Sequence, residues 1–235
     1  MSNEAELLEK LVIRELKVQP MQSGYQPIRL ETNRRNIDFR YYPVPGTQCG
    51  AIWVGGVGGG WDTPAAGLYP RLCQELMGEA ITSLRVRYRY PTILEEAVLD
   101  VFAGISYLES EGIKTIALTG HSFGGAVVIQ AAATAQAVRT VVTLATQSYG
   151  AMPVSQLSPE CGILLLHGTD DQVLIPACSE YVYQIAHEPK RLSLYEGAAH
   201  NLDEVAEEVY QVVRNWIVEQ LKQDIPSIAL RGVRG

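Results

Sequence analysis

From Ile28 onward the chain alternates between short apolar runs and longer stretches whose apolar residues recur at helical spacing. IRLET (28–32) and IDFRYYPV (37–44) have the composition of strands, and Asn33-Arg34-Arg35-Asn36 between them reads as a hairpin loop. CGAIWVGG (49–56) is a continuous apolar run ending in glycines, the profile of a strand buried on both faces. A helical segment over 65–79 precedes the strand ITSLRVRY (81–88). A longer helix follows Pro91, with Leu94, Ala97, Val98, Val101, Phe102, Ile105 and Leu108 on one face. Next come a strand at 114–120, a helix at 123–135, strands at 139–146 and 162–167, a helix at 176–187, a strand at 191–195 and a helix at 203–221. LVIRELKV (11–18) fits neither period and reads equally as a strand or a helix end.

Apolar strands separated by amphipathic helices of this length imply βα units, parallel pairing and helices on both faces of one sheet. The opening hairpin makes that sheet begin antiparallel. No repeat, low-complexity tract or linker interrupts the pattern before Ile225. The expected organisation is therefore one domain over 1–235, with its core at about 28–222 and a mobile end at 226–235.

Composition narrows the function. Nineteen basic against 26 acidic residues leave a net charge of −7, the wrong sign for a polyanion binder, so nucleic acid is not the expected partner. The longest apolar stretch, from Ala126 to Val138, is broken by Gln130, Thr134 and Gln136, so no membrane span is expected. The acidic start MSNEAELLEK lacks the order of a secretory signal, and Cys49, Cys73, Cys161 and Cys178 form no Cys-x-x-Cys pair. These features point to a cytoplasmic protein with reduced cysteines and neither metal nor cofactor.

Two glycine clusters follow expected strands. Gly55-Gly56-Val57-Gly58-Gly59-Gly60 matches neither the dinucleotide fingerprint nor a P-loop, since Trp61-Asp62 stands where the latter needs Lys-Ser/Thr. Gly120-His121-Ser122-Phe123-Gly124 fits G-x-S-x-G, which would arise by chance about 0.1 times in this chain. Its setting between an apolar strand and a helix gives it weight. A serine on so sharp a turn needs very small neighbours two residues to either side, and Gly120 and Gly124 meet that need. Such a serine needs a base, and the base an orienting acid. His200, in EGAAHNL, follows the last strand, and Asp170 and Asp171, in HGTDDQVLIP, follow the strand before it. On a parallel sheet both loops share the serine's edge. Trp61, Tyr69 and Tyr149 read either as cleft-lining or as packing, and Arg85, Arg87 and Arg89 as one face of a strand.

The chain resembles the α/β-hydrolase superfamily over about residues 28–222, through GHSFGG (120–125), HGTDDQVLIP (167–176) and GAAHNL (197–202) in the order Ser, Asp, His. The resemblance implies a mostly parallel, roughly eight-stranded sheet with helices on both faces. It also implies a triad of Ser122, Asp171 and His200. The acid falls on Asp171 by its place after His167-Gly168. Val173 follows two residues later where the family has three, so Asp170 stays open as the alternative. The implied oxyanion donors are the N–H groups of Phe123 and Val57, with Gly58 as fallback, because Gly55 stands where the family commonly has histidine. The connection from about 147 to 161 is too short for a helical cap, so the chain is similar to capless members: dienelactone-hydrolase-like enzymes, small esterases and thioesterases. Dienelactone hydrolases themselves use cysteine where this chain has Ser122. The implied activity is hydrolysis of a small-molecule carboxylic ester or thioester. A prolyl-oligopeptidase-like peptidase, an acyltransferase and a non-catalytic binding member share the same core.

Overall fold

The computed structural model describes residues 11–222; the end expected to be mobile, 226–235, lies outside them. Nine strands form one sheet: β1 (Ile13–Val18), β2 (Gln26–Thr32), β3 (Ile37–Tyr42), β4 (Cys49–Val54), β5 (Ile81–Arg87), β6 (Thr115–His121), β7 (Val138–Leu144), β8 (Gly162–Gly168) and β9 (Lys190–Tyr195). Their order is β1-β2-β3-β5-β4-β6-β7-β8-β9. The three pairings β1–β2, β2–β3 and β3–β5 are antiparallel, and every pairing from β5–β4 to β8–β9 is parallel. Among the described residues four α-helices connect strands, α1 (Leu68–Glu75), α2 (Leu94–Ser110), α3 (Phe123–Ala132) and α4 (Ala177–Ile185), and α5 (Ala206–Lys222) follows β9.

The continuous apolar strands are those with helices on both sides. Ile52 and Val54 of β4 face α2 and α3, while Ala51 and Trp53 face α1 and α5, so no position of β4 is left to solvent. Between β7 and β8 the described chain forms only a short 3-10 helix, Met152–Gln156, in keeping with the expected capless core.

Two expectations change. The sheet has nine strands rather than roughly eight, because 11–18 supplies β1 at the edge. All six of its residues are exposed, so no buried face imposed a period on its sequence. The helix expected from residue 65 begins at Leu68, since Ala65, Ala66 and Gly67 all have positive φ.

Chain direction along the sheet reverses at β4, which leads to β5 on one side and has β6 on the other. The loops leaving β4 and β6 therefore flank a crevice at the strand C-termini.

Candidate active site

Ser122 occupies that crevice, between the end of β6 and the first residue of α3, with φ 56° and ψ −119°. Its N–H donates to Leu144 O at 2.8 Å, and its carbonyl accepts from Gly125 N at 3.0 Å and Gln147 N at 3.4 Å, so the backbone is tied on both sides. The turn closes only on glycine. A Cβ on Gly120 would overlap the Gly124 carbonyl, and one on Gly124 would overlap the Gly55 carbonyl. Gly125 is equally constrained, by Thr146.

His200 lies in the loop after β9, and its Nε2 is 3.0 Å from Ser122 Oγ. Its Nδ1 is 2.7 Å from Asp171 Oδ2. The other oxygen, Asp171 Oδ1, accepts the N–H of Val173 at 2.8 Å and of Leu174 at 2.9 Å. Burial pushes the Asp171 carboxyl upward, but the bonds from His200, Leu174 and Val173 outweigh it and hold the group below its ordinary value. A carboxylate accepts only, so Nδ1 of His200 carries the proton and Nε2 is free to accept from the serine hydroxyl. Asp170, by contrast, is exposed and contacts Thr169 Oγ1. Of the two candidate acids, Asp171 is the one brought to the histidine.

The loops that carry Asp171 and His200 are joined below their contact with Ser122. Thr169 N donates to Tyr195 O at 2.9 Å, Asp170 N to Ala198 O at 3.0 Å, and Gly197 N to Thr169 Oγ1 at 2.9 Å. A Cβ on Gly168 would overlap the Ala198 carbonyl, which explains the glycine after His167.

Two further histidines sit around this chain of contacts. His121 Nε2 lies 3.1 Å from the His200 carbonyl oxygen, and the two rings are 4.8 Å apart. Burial lowers the His121 pKa, so the ring is neutral and Nε2–H is the donor. His167, fully buried, places Nε2 2.8 Å from Leu174 O and 3.1 Å from Asp171 Oδ2, with Nδ1 2.6 Å from Ser179 Oγ. A carbonyl can only accept, so Nε2 of His167 is protonated and faces the carboxylate as a further donor. The sequence signal for His167 was its place in HGTDD, directly after the apolar run GILLL (162–166). His187 is elsewhere, bonded to Ser155 O.

The glycine loop also meets the serine. A Cβ on Gly56 would stand 3.3 Å from Ser122 Cβ, and Gly59 N–H closes a turn onto Gly56 O at 3.2 Å. Gly55 backs onto Asp62, whose Cβ would be 3.0 Å from a Cβ there, so the family's histidine at this position would require the Asp62 turn to move by a few tenths of an ångström. Val57, next in the loop, has an exposed side chain. Phe123 begins α3, so its N–H has no intrahelical acceptor and lies at the positive end of the helix dipole. Tyr69 proves to be packing: its buried hydroxyl donates to Val54 O at 3.0 Å and its ring lies 5.4 Å from Trp53.

A nine-stranded, mostly parallel sheet with a strand-to-helix serine turn at its C-terminal edge defines the α/β-hydrolase fold. Solved structures agree. Est1E from Butyrivibrio proteoclasticus superposes with a TM-score of 0.71 at 16% identity, over 83% of this chain and 98% of that one. Dienelactone hydrolase from Anabaena variabilis gives 0.70 at 16%, over 85% and 100%. A cold-adapted esterase from an Arctic intertidal metagenomic library gives 0.70 at 15%, over 90% and 100%. No curated protein matches the sequence. The dienelactone hydrolase family matches residues 65–215, and the chain belongs to that family: it is a hydrolase of the esterase type. The matched span contains Ser122, Asp171 and His200 and begins after Val57. Among the described residues no helix is long and apolar enough to cross a membrane.

Proposed function

We propose that the chain hydrolyses a carboxylic ester or thioester of a small molecule, with Ser122 as nucleophile, His200 as general base and acid, and Asp171 as the group that orients the imidazole. The observation that carries this reading is the continuous contact from Ser122 Oγ through His200 to the buried Asp171 carboxylate, at 3.0 and 2.7 Å. In the first half-reaction Ser122 Oγ attacks the acyl carbonyl as its proton passes to His200 Nε2. The carbonyl oxygen takes the negative charge and lies against the N–H groups of Phe123 and Val57. Collapse expels the alcohol or thiol, which receives the proton from His200. Water then gives a proton to the same nitrogen, attacks the acyl-serine, and frees the carboxylic acid and Ser122. Asp171 stays ionised throughout and balances the imidazolium. The whole unit is the one domain built on the nine-stranded sheet, and the cytoplasm is its proposed compartment.

Labelling with a fluorophosphonate probe tests the reading. The wild-type chain is expected to take the label at Ser122, and Ser122→Ala to take none. A wild-type chain that stays unlabelled while folded would overturn the assignment.

A further inference from the structure

The arginines of the antiparallel half of the sheet have no part in the triad chemistry. Register places Arg29 of β2 opposite Asp38 of β3, and Asp38 opposite Arg87 of β5, while Arg40 pairs with Arg85 one row away. Strand alternation puts these side chains on one sheet face. Two depressions of about 240 and 300 Å³ adjoin there, and both are lined by Arg29, Asp38 and Arg87. Arg40 adds to the first and Arg35 to the second.

The neighbouring arginines are already satisfied. Buried Arg89 is bonded to Asp100 and Glu96, and buried Arg85 donates to Trp61 O at 2.7 Å. The four groove arginines differ. Asp38 serves both Arg29, at 2.6 Å, and Arg87, at 3.8 Å. Arg40 lies over the rings of Trp61, at 4.2 Å, and Tyr25, at 4.9 Å; Arg35 lies over Tyr90 at 4.6 Å. Stacking fixes a guanidinium through its face and leaves its N–H edge unspent. Among the described residues neither Arg35 nor Arg40 has a carboxylate partner. Four guanidiniums thus share one carboxylate, on a chain whose net charge is −7.

We propose that this groove is an anion site for a diphosphate or longer phosphate chain. A single negative charge would do little more than Asp38 already does. Adjacent phosphoryl groups can meet several planar N–H forks at once, each in two-point contact, and a linear chain of them can extend from one depression into the other. Stacking on Tyr25, Trp61 and Tyr90 has already restricted two of the forks, which lowers the entropy lost on binding. This site stands independently of the reading of Ser122.

Isothermal titration calorimetry of the full chain at low ionic strength, with inorganic pyrophosphate and separately with adenosine diphosphate, tests the proposal. Saturable one-to-one binding is expected, weakening by about tenfold or more in the Arg40→Gln/Arg87→Gln double variant and falling steeply on raising salt from about 20 to 200 mM. Arg40→Lys, which keeps the charge and loses the planar fork, is expected to fall between. Thermal melting verifies that each variant is folded. Equal affinity for the two probes makes the phosphate group the whole ligand; tighter binding of adenosine diphosphate makes it an organic diphosphate, and either result upholds the site. Absence of saturable binding by both probes, or equal binding by the folded double variant, would overturn it.

Discussion

Replacing Ser122 by glycine is expected to yield a more stable protein than replacing it by alanine, the reverse of the usual ranking. At φ 56° and ψ −119° a residue with a Cβ sits in a sparsely populated region, at a cost of about 1–3 kcal/mol. The elbow cannot relax to shed that cost, because Leu144, Gly125 and Gln147 hold its N–H and carbonyl. Glycine tolerates these angles but adds freedom to the unfolded chain, at about 0.4–1 kcal/mol. Both variants lose the hydroxyl that meets His200, so that loss cancels in the comparison. The remainder favours glycine by about 1 kcal/mol, or roughly 2–4 °C in Tm for a chain of this size. Urea and thermal unfolding of the two variants provide the measurement. If Ser122→Gly proves less stable than Ser122→Ala by about 0.5–1 kcal/mol, as at an unstrained site, the argument from elbow strain is wrong.

Gly168→Ala should cost about 3 kcal/mol or more, because its methyl group would overlap the Ala198 carbonyl and force the Asp171 and His200 loops apart; thermal melting measures the loss. Asp171→Asn should slow ester turnover by about 10³–10⁴-fold while Asp170→Asn changes it less than about twofold, since only Asp171 meets His200; steady-state kinetics with an activated ester decide between them. The same comparison has a pH signature. The folded Asp171 carboxyl lies below its unfolded value, so it contributes stability above the usual carboxylate range and loses it as pH falls through the folded value. The stability gap between wild type and Asp171→Asn should therefore narrow on acidification, as followed by denaturant unfolding at a series of pH values.

The parallel core could be read from sequence because burial on both faces leaves continuous apolar runs, as in GILLL (162–166) of β8. β1 could not, since none of its residues is buried and any pattern would serve. The late start of α1 was hidden for another reason. Ala65 and Ala66 are strong helix formers locally, yet both take positive φ. Their N–H groups are instead drawn to Asn201 O and Asp203 Oδ1, each at 2.7 Å, more than 130 residues along the chain. At the site, the strand-to-helix serine and the loops of His200 and Asp171 were legible because each is defined by its own neighbours. His121 and His167 were not, because their roles rest on the His200 carbonyl and the Asp171 carboxylate, which only folding brings to them.

Those distant contacts converge on His200. The carbonyl of His200 is met by His121 from the β6 turn, the next carbonyl, of Asn201, by Ala65 from the entry to α1, and the carbonyl of Ala198 by Asp170 from the β8 loop. Ala199 N–H is fixed by Glu204 at 3.1 Å. Four successive residues around the imidazole are thus tied to three other loops and to their own 3-10 turn. All three loops emerge from the C-terminal edge of the parallel strands, where the switch at β4 brings them together. A helix beginning at Ala65 would turn that N–H along its own axis, with no intrahelical acceptor, and release one of these anchors. Local helix propensity in α1 gives way where the histidine loop requires a donor, so the departure from the sequence pattern falls beside the site rather than at random in the fold.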